Sequence, residues 1–239
     1  MSPRPGSAVP PPDVREVHRR LRARFGPLDA PLQREPLEEL VLTILSQNTN
    51  DVNRDRAFDA MRSRYPTWEV LASASPGDLA EAIKPGGLSN IKAPRILAVL
   101  HEIRDREGGS LDLGWMRTAH SNRVLAYLTS LPGVGPKTAA CVLAFSLRRP
   151  VIPVDTHVFR VAGRLGLLPP RTDPERAHAV LEAAVPPRLR VSLHVGMIRL
   201  GREICRAGRP QCERCPLQDL CPTAPTILGR VRLGKVGAR

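Results

Sequence analysis

The sequence is poor in lysine, in aromatic residues and in long apolar runs. It has four lysines among 36 basic residues, and aromatic residues make up 3% of the chain. This scarcity, with no alternating aromatic stripe on any candidate strand, argues against a stacking platform for single-stranded nucleic acid. No apolar run approaches the roughly 18 residues needed to cross a bilayer, and the N-terminus MSPRPGSAVPPPD lacks the apolar core of a signal peptide. We therefore expect an intracellular protein with no membrane partner.

Strand patterns are also missing. The nearest candidate is RRPVIPVD, residues 148–155, and its prolines argue against a strand. Apolar residues instead recur at helical spacing between Pro, Gly and Asn breakers. The sequence predicts an all-α fold with about ten helices, at 13–25, 35–45, 51–64, 76–84, 90–106, 121–131, 136–147, 155–165, 173–184 and 189–203. Residues 1–12, with five prolines, are predicted to be a disordered tail.

Acidic residues are outnumbered by basic ones. The net charge is +13 and the pI is about 10.8, which favours a nucleic acid or another polyanion as partner. An arginine-biased proteome would give the same excess, so charge alone does not decide between the two.

The heptapeptide LPGVGPK, residues 131–137, is the first motif with a specific chemistry. Gly133 and Gly135 allow positive φ and close backbone approach, and Pro136 suits the first position of a new helix. The backbone N–H groups of Gly133, Val134 and Gly135 would then converge at a helix N-terminus that can bind one phosphate. Thr138, in the first turn of that helix, is a further candidate DNA contact. The alternative is a tight corner between two helices without a ligand.

Lys137 follows this turn in a chain that otherwise prefers arginine. Lysine offers an amine that can lose its proton and attack carbon, which arginine cannot do. The positive end of the helix dipole and partial burial both favour the neutral amine. Lys137 is therefore predicted to be a catalytic nucleophile.

The segment PVDTHVFRV places Asp155 at the start of another apolar helix. On local sequence alone Asp155 is better explained as a helix cap, although a capping carboxylate with a free second oxygen can also serve catalysis. His157 is predicted to be structural or a phosphate contact, and not a general base.

Five cysteines form an odd set in a chain expected to stay reduced, so disulfides are improbable. Four of them follow a C-x6-C-x2-C-x5-C spacing, at Cys205, Cys212, Cys215 and Cys221. Thiols this dense favour a metal site, either zinc or an iron–sulfur cluster. The single short knuckle with longer arms favours a [4Fe–4S] cluster. Cys141, in an apolar helix, is predicted to be a core residue.

Together LPGVGPKTA, VDTHVFRV and the four-cysteine spacing resemble the endonuclease III family of DNA glycosylases, and the resemblance covers about residues 13–222. It implies two helical domains. One is a six-helix domain at 30–149 with a helix-hairpin-helix at 121–147, and the other is an iron–sulfur cluster domain at 13–29 and 150–222. DNA would lie in a groove between them, and residues 223–239 would form a basic C-terminal tail.

The resemblance also implies residue roles. Lys137 would attack C1′ of a flipped-out damaged nucleotide, and Asp155 would assist. The segment SQNTND resembles the loop whose glutamine, here Gln47, fills the space left by the flipped base. The segment GGLSNIKA resembles the loop whose leucine, here Leu88, wedges into the duplex. Pro136 stands where a basic residue is common, which puts a local phosphate contact in doubt.

The implied function is a bifunctional DNA glycosylase/AP lyase of base excision repair that acts on oxidised pyrimidines. Its partner would be double-stranded DNA with damaged bases or abasic sites, bound by a monomer, and its location cytoplasmic and nucleoid-associated. One alternative is a monofunctional adenine or mismatch glycosylase of the same fold, which would normally lack the hairpin lysine and carry a further C-terminal domain. The other is a non-catalytic helix-hairpin-helix protein that only binds DNA.

Overall fold

The computed structural model describes residues 10–229, and within that range the chain is helical with no β-strand. Besides a helical segment at residues 224–229, that range contains eleven α-helices: α1 Val14–Phe25, α2 Pro36–Leu45, α3 Asp51–Arg64, α4 Trp68–Ala72, α5 Pro76–Ala82, α6 Ser89–Arg106, α7 Ser121–Thr129, α8 Pro136–Cys141, α9 Thr156–Arg164, α10 Pro174–Ala184 and α11 Arg190–Glu203. The all-α prediction is confirmed. The short helix α4 was not predicted from the sequence.

The predicted tails are residues 1–12 and 223–239, and most of both lies outside the described residues. Residues 10–13 have no helix, whereas residues 224–229 are helical, so the predicted basic tail at 223–239 begins with a helical segment. No helix in the described part of the chain is long and apolar enough to cross a membrane.

The chain forms two compact units, and the first comprises residues 31–149. Its central helix is α2, in which every residue except Glu38 is buried. A helix that is buried on nearly all sides lies inside a domain, and α3, α6 and α8 pack around α2. The core includes Leu40, Ile44, Met61, Ile96 and Leu100. This packing fixes the positions of the loops that leave α2, precede α6 and join α7 to α8.

The helix after the hairpin turn changes its pitch. The sequence predicts one helix over 136–147, but α8 ends at Cys141 and a π-helical segment, Val142–Ser146, continues it. The N–H of Leu147 donates to the carbonyl oxygen of Val142 at 3.1 Å, which is the five-residue spacing of a π turn. All five residues of this segment are buried, so the wider turn is part of the core.

The second unit combines residues up to Ala30 with the chain from Pro150 onward. Helices α1, α9 and α11 form its core, with Leu21, Val158 and Met197 fully buried. A Cβ on Gly196 would lie 3.0 Å from Leu28, so this glycine allows the close packing of α11 against the chain that follows α1. The N-terminal helix and the C-terminal half of the chain therefore share one core.

Candidate functional site

Lys137 is the second residue of α8, directly after Pro136, and its side chain is partly buried. The preceding turn contains one left-handed residue, Gly133, at φ +72°. Gly135 caps the helix in an extended conformation at φ −95°, so the expectation of positive φ applies to Gly133 and not to Gly135. The geometry places Lys137 in the first turn of α8, directly behind the hairpin turn.

The hairpin turn uses part of its own hydrogen-bonding capacity. The N–H of Val134 donates to the carbonyl oxygen of Leu131 at 3.2 Å and is therefore not free to bind phosphate. Within the described residues, the N–H groups of Gly133 and Gly135 make no such backbone bond, and both glycines are exposed. Val134 and Thr138 are buried. Of the four predicted hairpin contacts, the two glycines are the ones presented at the surface.

A buried carboxyl on α2 lies in the same unit, and sequence reasoning missed it. Glu39 is 4% exposed, one of its oxygens accepts a bond from the Thr43 hydroxyl at 3.3 Å, and the buried Oε2 has no hydrogen-bond partner. Burial raises the pKa of Glu39 to about 7. This rise is opposed, in decreasing order, by Arg34, the Thr43 hydroxyl, Arg54 and Lys137. A carboxyl with a perturbed pKa is typical of a functional site, although structural networks also produce it.

Gln47 lies in the loop after α2 and is partly buried. Its side-chain oxygen accepts a hydrogen bond of 2.8 Å from Nη1 of Arg95 on α6. The next residue, Asn48, is left-handed at φ +51°, a conformation that asparagine adopts more readily than most residues. The predicted gap-filling side chain is therefore held by a partner 48 positions away, which no local pattern could indicate.

Leu88 precedes α6 and is exposed over 48% of its surface, in a left-handed conformation at φ +51°. Lys92, one turn further on, is only 2% exposed. Its ammonium donates to the carbonyl oxygen of Leu45 at 2.7 Å and to that of Gly86 at 2.8 Å. One buried cation thus fixes the backbone two residues before Gln47 and two residues before Leu88.

Asp155 caps α9 and belongs to the other unit. Its Oδ1 accepts bonds from the N–H groups of His157 at 2.9 Å and Val158 at 2.8 Å. Both bonds end on the same oxygen, so Oδ2 is not used for capping. The sequence-based interpretation of Asp155 as an N-cap is confirmed, and the second oxygen remains for other chemistry.

His157 is partly buried between its own helix and α11. Arg160 donates to its Nδ1 at 3.0 Å, and a Cβ on Gly201 would lie 2.9 Å from the His157 Cβ. Burial lowers the pKa of His157, against the opposing charge of Asp155. Because a guanidinium can only donate, this hydrogen bond forms in the tautomer that carries the ring proton on Nε2.

The four cysteines of the C-x6-C-x2-C-x5-C motif lie in the segment after α11, and all four are partly buried. Burial raises the pKa of the Cys215 thiol to about 11, and the neighbouring Cys205, Cys221 and Cys212 raise it further. Burial and the neighbouring cysteines also raise the pKa of the Cys212 and Cys221 thiols, and a cationic iron–sulfur centre would stabilise such thiols as thiolates. Arg164 donates to the sulfur of Cys205 at 3.3 Å. The donor set fits a [4Fe–4S] cluster.

Comparison with known proteins places this geometry in a family. The family of HhH-GPD superfamily base excision DNA repair proteins matches residues 41–187, and the iron-sulfur binding domain of endonuclease III matches residues 205–221, which begin and end at motif cysteines. Endonuclease III of Thermotoga maritima is 37% identical over 187 residues, which is 78% of this chain and 83% of that protein.

Two further relatives extend the comparison. The DNA glycosylase/AP lyase ROS1 of Arabidopsis thaliana is 31% identical over 183 residues, which is 70% of this chain but 13% of that protein. A solved structure of a trapped endonuclease III–DNA covalent intermediate is similar with a TM-score of 0.77 at 28% identity, covering 90% of this chain and 97% of that one. The chain therefore belongs to the endonuclease III family of base excision repair DNA glycosylases, which bind DNA and carry a [4Fe–4S] cluster.

Proposed function

We propose that this glycosylase is bifunctional: it releases oxidised pyrimidines from duplex DNA and then cleaves the strand at the abasic site. The observation that carries the proposal is the position of Lys137, a partly buried amine in the first turn of α8 behind the exposed hairpin glycines. Two comparisons support it. One similar structure is that of a trapped endonuclease III–DNA covalent intermediate, and one relative is the DNA glycosylase/AP lyase ROS1.

The proposed chemistry begins with the neutral amine of Lys137. The nitrogen lone pair forms a bond to C1′ of the flipped nucleotide, and the base leaves with the electrons of the glycosidic bond and gains a proton. The amine nitrogen loses a proton and the sugar ring opens, which leaves a Schiff base between Nζ and C1′. Loss of a proton from C2′ then expels the phosphate oxygen from C3′, so the strand is cut by β-elimination. Hydrolysis of the Schiff base returns the lysine.

Flipping the nucleotide out of the stack costs a few kcal/mol, and this cost is smaller for a poorly stacked damaged base. In our proposal Gln47 fills the space that the nucleotide leaves and Leu88 wedges into the duplex. The exposed glycines of the hairpin bind a phosphate, and the Nε2–H of His157 is a further candidate donor to DNA.

Asp155 is the second proposed catalytic residue. Its Oδ2, which does not take part in capping α9, would offset the positive charge that develops on the sugar as the base leaves. Its capping role means that Asp155→Asn, which keeps a side-chain oxygen, is a better test than Asp155→Ala. We expect Asp155→Asn to lower turnover far more than DNA binding. Equal losses of both would assign Asp155 a structural role alone.

The four motif cysteines are the proposed ligands of the cluster. Thiolates at these four positions would hold the cluster, and the segment that they define would thereby be fixed at four points. We propose no redox step for it.

Borohydride trapping tests the assignment of Lys137. Reduction of the Schiff base on lesion-containing duplex DNA should give a stable protein–DNA adduct with the native protein. Lys137→Ala should remove the adduct and slow base release at least about a thousandfold, because no other amine replaces the nucleophile. Lys137→Arg keeps a long basic side chain that cannot act as the nucleophile, and it should retain DNA binding without trapping. Lys84→Ala, which removes an exposed lysine, is the matched control, and undiminished trapping by Lys137→Ala would overturn the assignment.

The substrate class needs a separate experiment. Duplexes that each contain one defined lesion should show faster release of an oxidised pyrimidine such as thymine glycol than of an oxidised purine or a mispaired adenine. A preference for mispaired adenine would instead favour the monofunctional alternative.

A further inference from the structure

Arg95 is a charged residue of α6 that belongs to none of the motifs in the sequence, yet it contacts two of the loops proposed to meet DNA. Its Nη1 donates to the side-chain oxygen of Gln47 at 2.8 Å. A Cβ built on Gly133 would lie 2.6 Å from Nε and 2.8 Å from Cδ of Arg95. The arginine therefore passes directly over the hairpin turn and ends on the loop after α2.

The backbone beneath this contact is already fixed. Lys92 lies three residues before Arg95 on the same face of α6, and its buried ammonium holds the carbonyl oxygens of Leu45 and Gly86. Lys92 thus fixes the main chain of the loop after α2 and of the turn before α6, whereas Arg95 acts on the side chain of Gln47. The two cations have separate tasks, and Arg95, which is only partly buried, can be changed without opening the core.

The chemistry of the contact determines which end of the Gln47 amide it occupies. A guanidinium has five N–H donors and no acceptor, so it can pair only with the amide oxygen. The alternative orientation of the amide would point an NH2 group at a cation and lose the bond. The amide oxygen is consequently held by the protein, and the NH2 group is the end left to face a ligand.

We propose that Arg95 is a positioning residue that fixes the amide of Gln47 so that its NH2 group, a hydrogen-bond donor, faces the unpaired base of the opposite strand. This inference rests on the proposed role of Gln47 as the side chain that fills the space of the flipped nucleotide. Every natural base carries at least one acceptor on its pairing edge, so a fixed donor can bind any of the four, and it has nothing to bind where the base is absent.

The proposal predicts a dependence on the opposite base that a general loss of structure would not produce. The probe is a duplex with a tetrahydrofuran residue, an abasic-site analogue that lacks the C1′ oxygen needed for a Schiff base. Binding to it requires no catalysis, so a failure of this inference is distinguishable from a failure of the proposed lyase chemistry. In one duplex the analogue stands opposite a normal base, and in the second it stands opposite another tetrahydrofuran.

Arg95→Met should weaken binding about fivefold to the duplex with an opposite base, the loss of roughly one hydrogen bond, and should have little effect on the duplex without one. Gln47→Ala should show the same selectivity, and the double variant should be no weaker than either single variant, because both remove the same donor. Arg95→Lys should recover part of the affinity, since an ammonium can also donate to the amide oxygen. Arg104→Met removes the same charge from the same helix about two and a half turns away and should change binding to both duplexes equally.

Equal losses by Arg95→Met on the two duplexes, or additive losses in the double variant, would overturn the proposal. Equal losses would assign Arg95 to phosphate binding or to the stability of the fold. Additive losses would show that Gln47 is oriented without Arg95.

Discussion

Two irregular regions, one in each compact unit, are held by different means: the loops on either side of Lys92 and the segment that carries the cysteines. In residues 31–149 a single buried ammonium, Lys92, bonds to carbonyl oxygens on both the loop after α2 and the turn before α6. In the second unit, arginines bond to the carbonyl oxygens of the segment that carries the cysteines. Arg160 donates to Cys205 at 2.9 Å, and Arg164 donates to Arg206 at 2.8 Å and to Ala207 at 2.9 Å.

This difference changes the meaning of the net charge of +13. Composition alone favours a polyanionic partner, but several of the cations donate hydrogen bonds to carbonyl oxygens of the chain's own backbone. A carbonyl oxygen that lies outside regular structure needs a donor, and a long guanidinium can supply several. Basic residues in the cluster segment are therefore poor evidence for phosphate binding unless their N–H groups are free.

The largest expected effect is the loss of local structure at residues 204–222 when the iron–sulfur cluster is lost. It would show that this segment depends on the cluster as well as on the arginines. Cys215→Ala should abolish the visible absorbance of the cluster, and the amides of residues 204–222 should lose protection from hydrogen exchange. Metal binding and local folding are coupled in such sites. The amides of α6, which belongs to the other unit, should keep their protection.

Cys141→Ala is the control for this change, because it removes a buried thiol outside the motif and should leave the absorbance intact. A Cys215→Ala protein with native protection throughout 204–222 would mean that the arginines suffice to hold the segment.

A smaller effect is expected when the ammonium that holds the first unit is removed. Lys92→Met keeps the apolar stem but leaves the carbonyl oxygens of Leu45 and Gly86 buried without their donor. We expect a destabilisation of about 2 to 3 kcal/mol, since each unsatisfied buried group costs about 1 to 3 kcal/mol and relief of the buried charge offsets part of this cost. Urea unfolding measures it.

Lys84→Met, at an exposed ion pair with Glu81, should change stability by less than about 0.5 kcal/mol. If Lys92→Met were equally harmless, the bonds from Lys92 would not be what fixes the loop after α2 and the turn before α6.

The smallest expected effect concerns Glu39, whose buried carboxylate destabilises the folded protein when it is ionised. Glu39 has a pKa of about 7, above its usual value of 4.5, because it is buried. A carboxyl whose pKa is higher in the folded than in the unfolded protein favours folding most below pH 4.5. Its contribution to the free energy of unfolding falls as the pH rises toward 7. The stabilisation of the protein by Glu39→Gln, relative to the native chain, should therefore increase by roughly 2 kcal/mol between pH 5 and pH 8.

Urea midpoints of both proteins at the two pH values measure this difference. Glu38→Gln, at a neighbouring carboxylate that pairs with Arg34 at 3.4 Å, should show much less pH dependence. A pH-independent effect of Glu39→Gln would mean that Glu39 keeps an ordinary ionisation in the fold.

Much of the fold could be predicted from the sequence because the helices are amphipathic and bounded by local signals. The N-cap aspartates at 13, 155 and 173 and the prolines at 36, 76, 136 and 174 mark helix starts by rules that act within a few residues. Helix α4 was missed because five residues give too short a period to recognise. The π turn after Cys141 arises from packing around the hairpin helix, which local propensity does not encode.

The candidate site divides in the same way. Lys137, Asp155 and the four cysteines stand in compact motifs, so residue type and spacing were sufficient to predict them as site residues. Arg95, Lys92 and Glu39 act through contacts that depend on the tertiary fold, and two of these contacts span 47 and 48 positions. One clue was available for Lys92: in a chain with only four lysines, each of them warrants an explanation.

Burial of the Lys92 ammonium also makes the remaining lysines easy to monitor with chemical labels. Within the described residues an amine-reactive reagent applied to the native protein meets Lys84 and Lys137, while the peptide from α6 should stay unlabelled until the protein unfolds. Mass spectrometry of the labelled chain could then follow protection of Lys137 by bound DNA in a spectrum with few competing peaks, with the α6 peptide as an internal gauge of the native state.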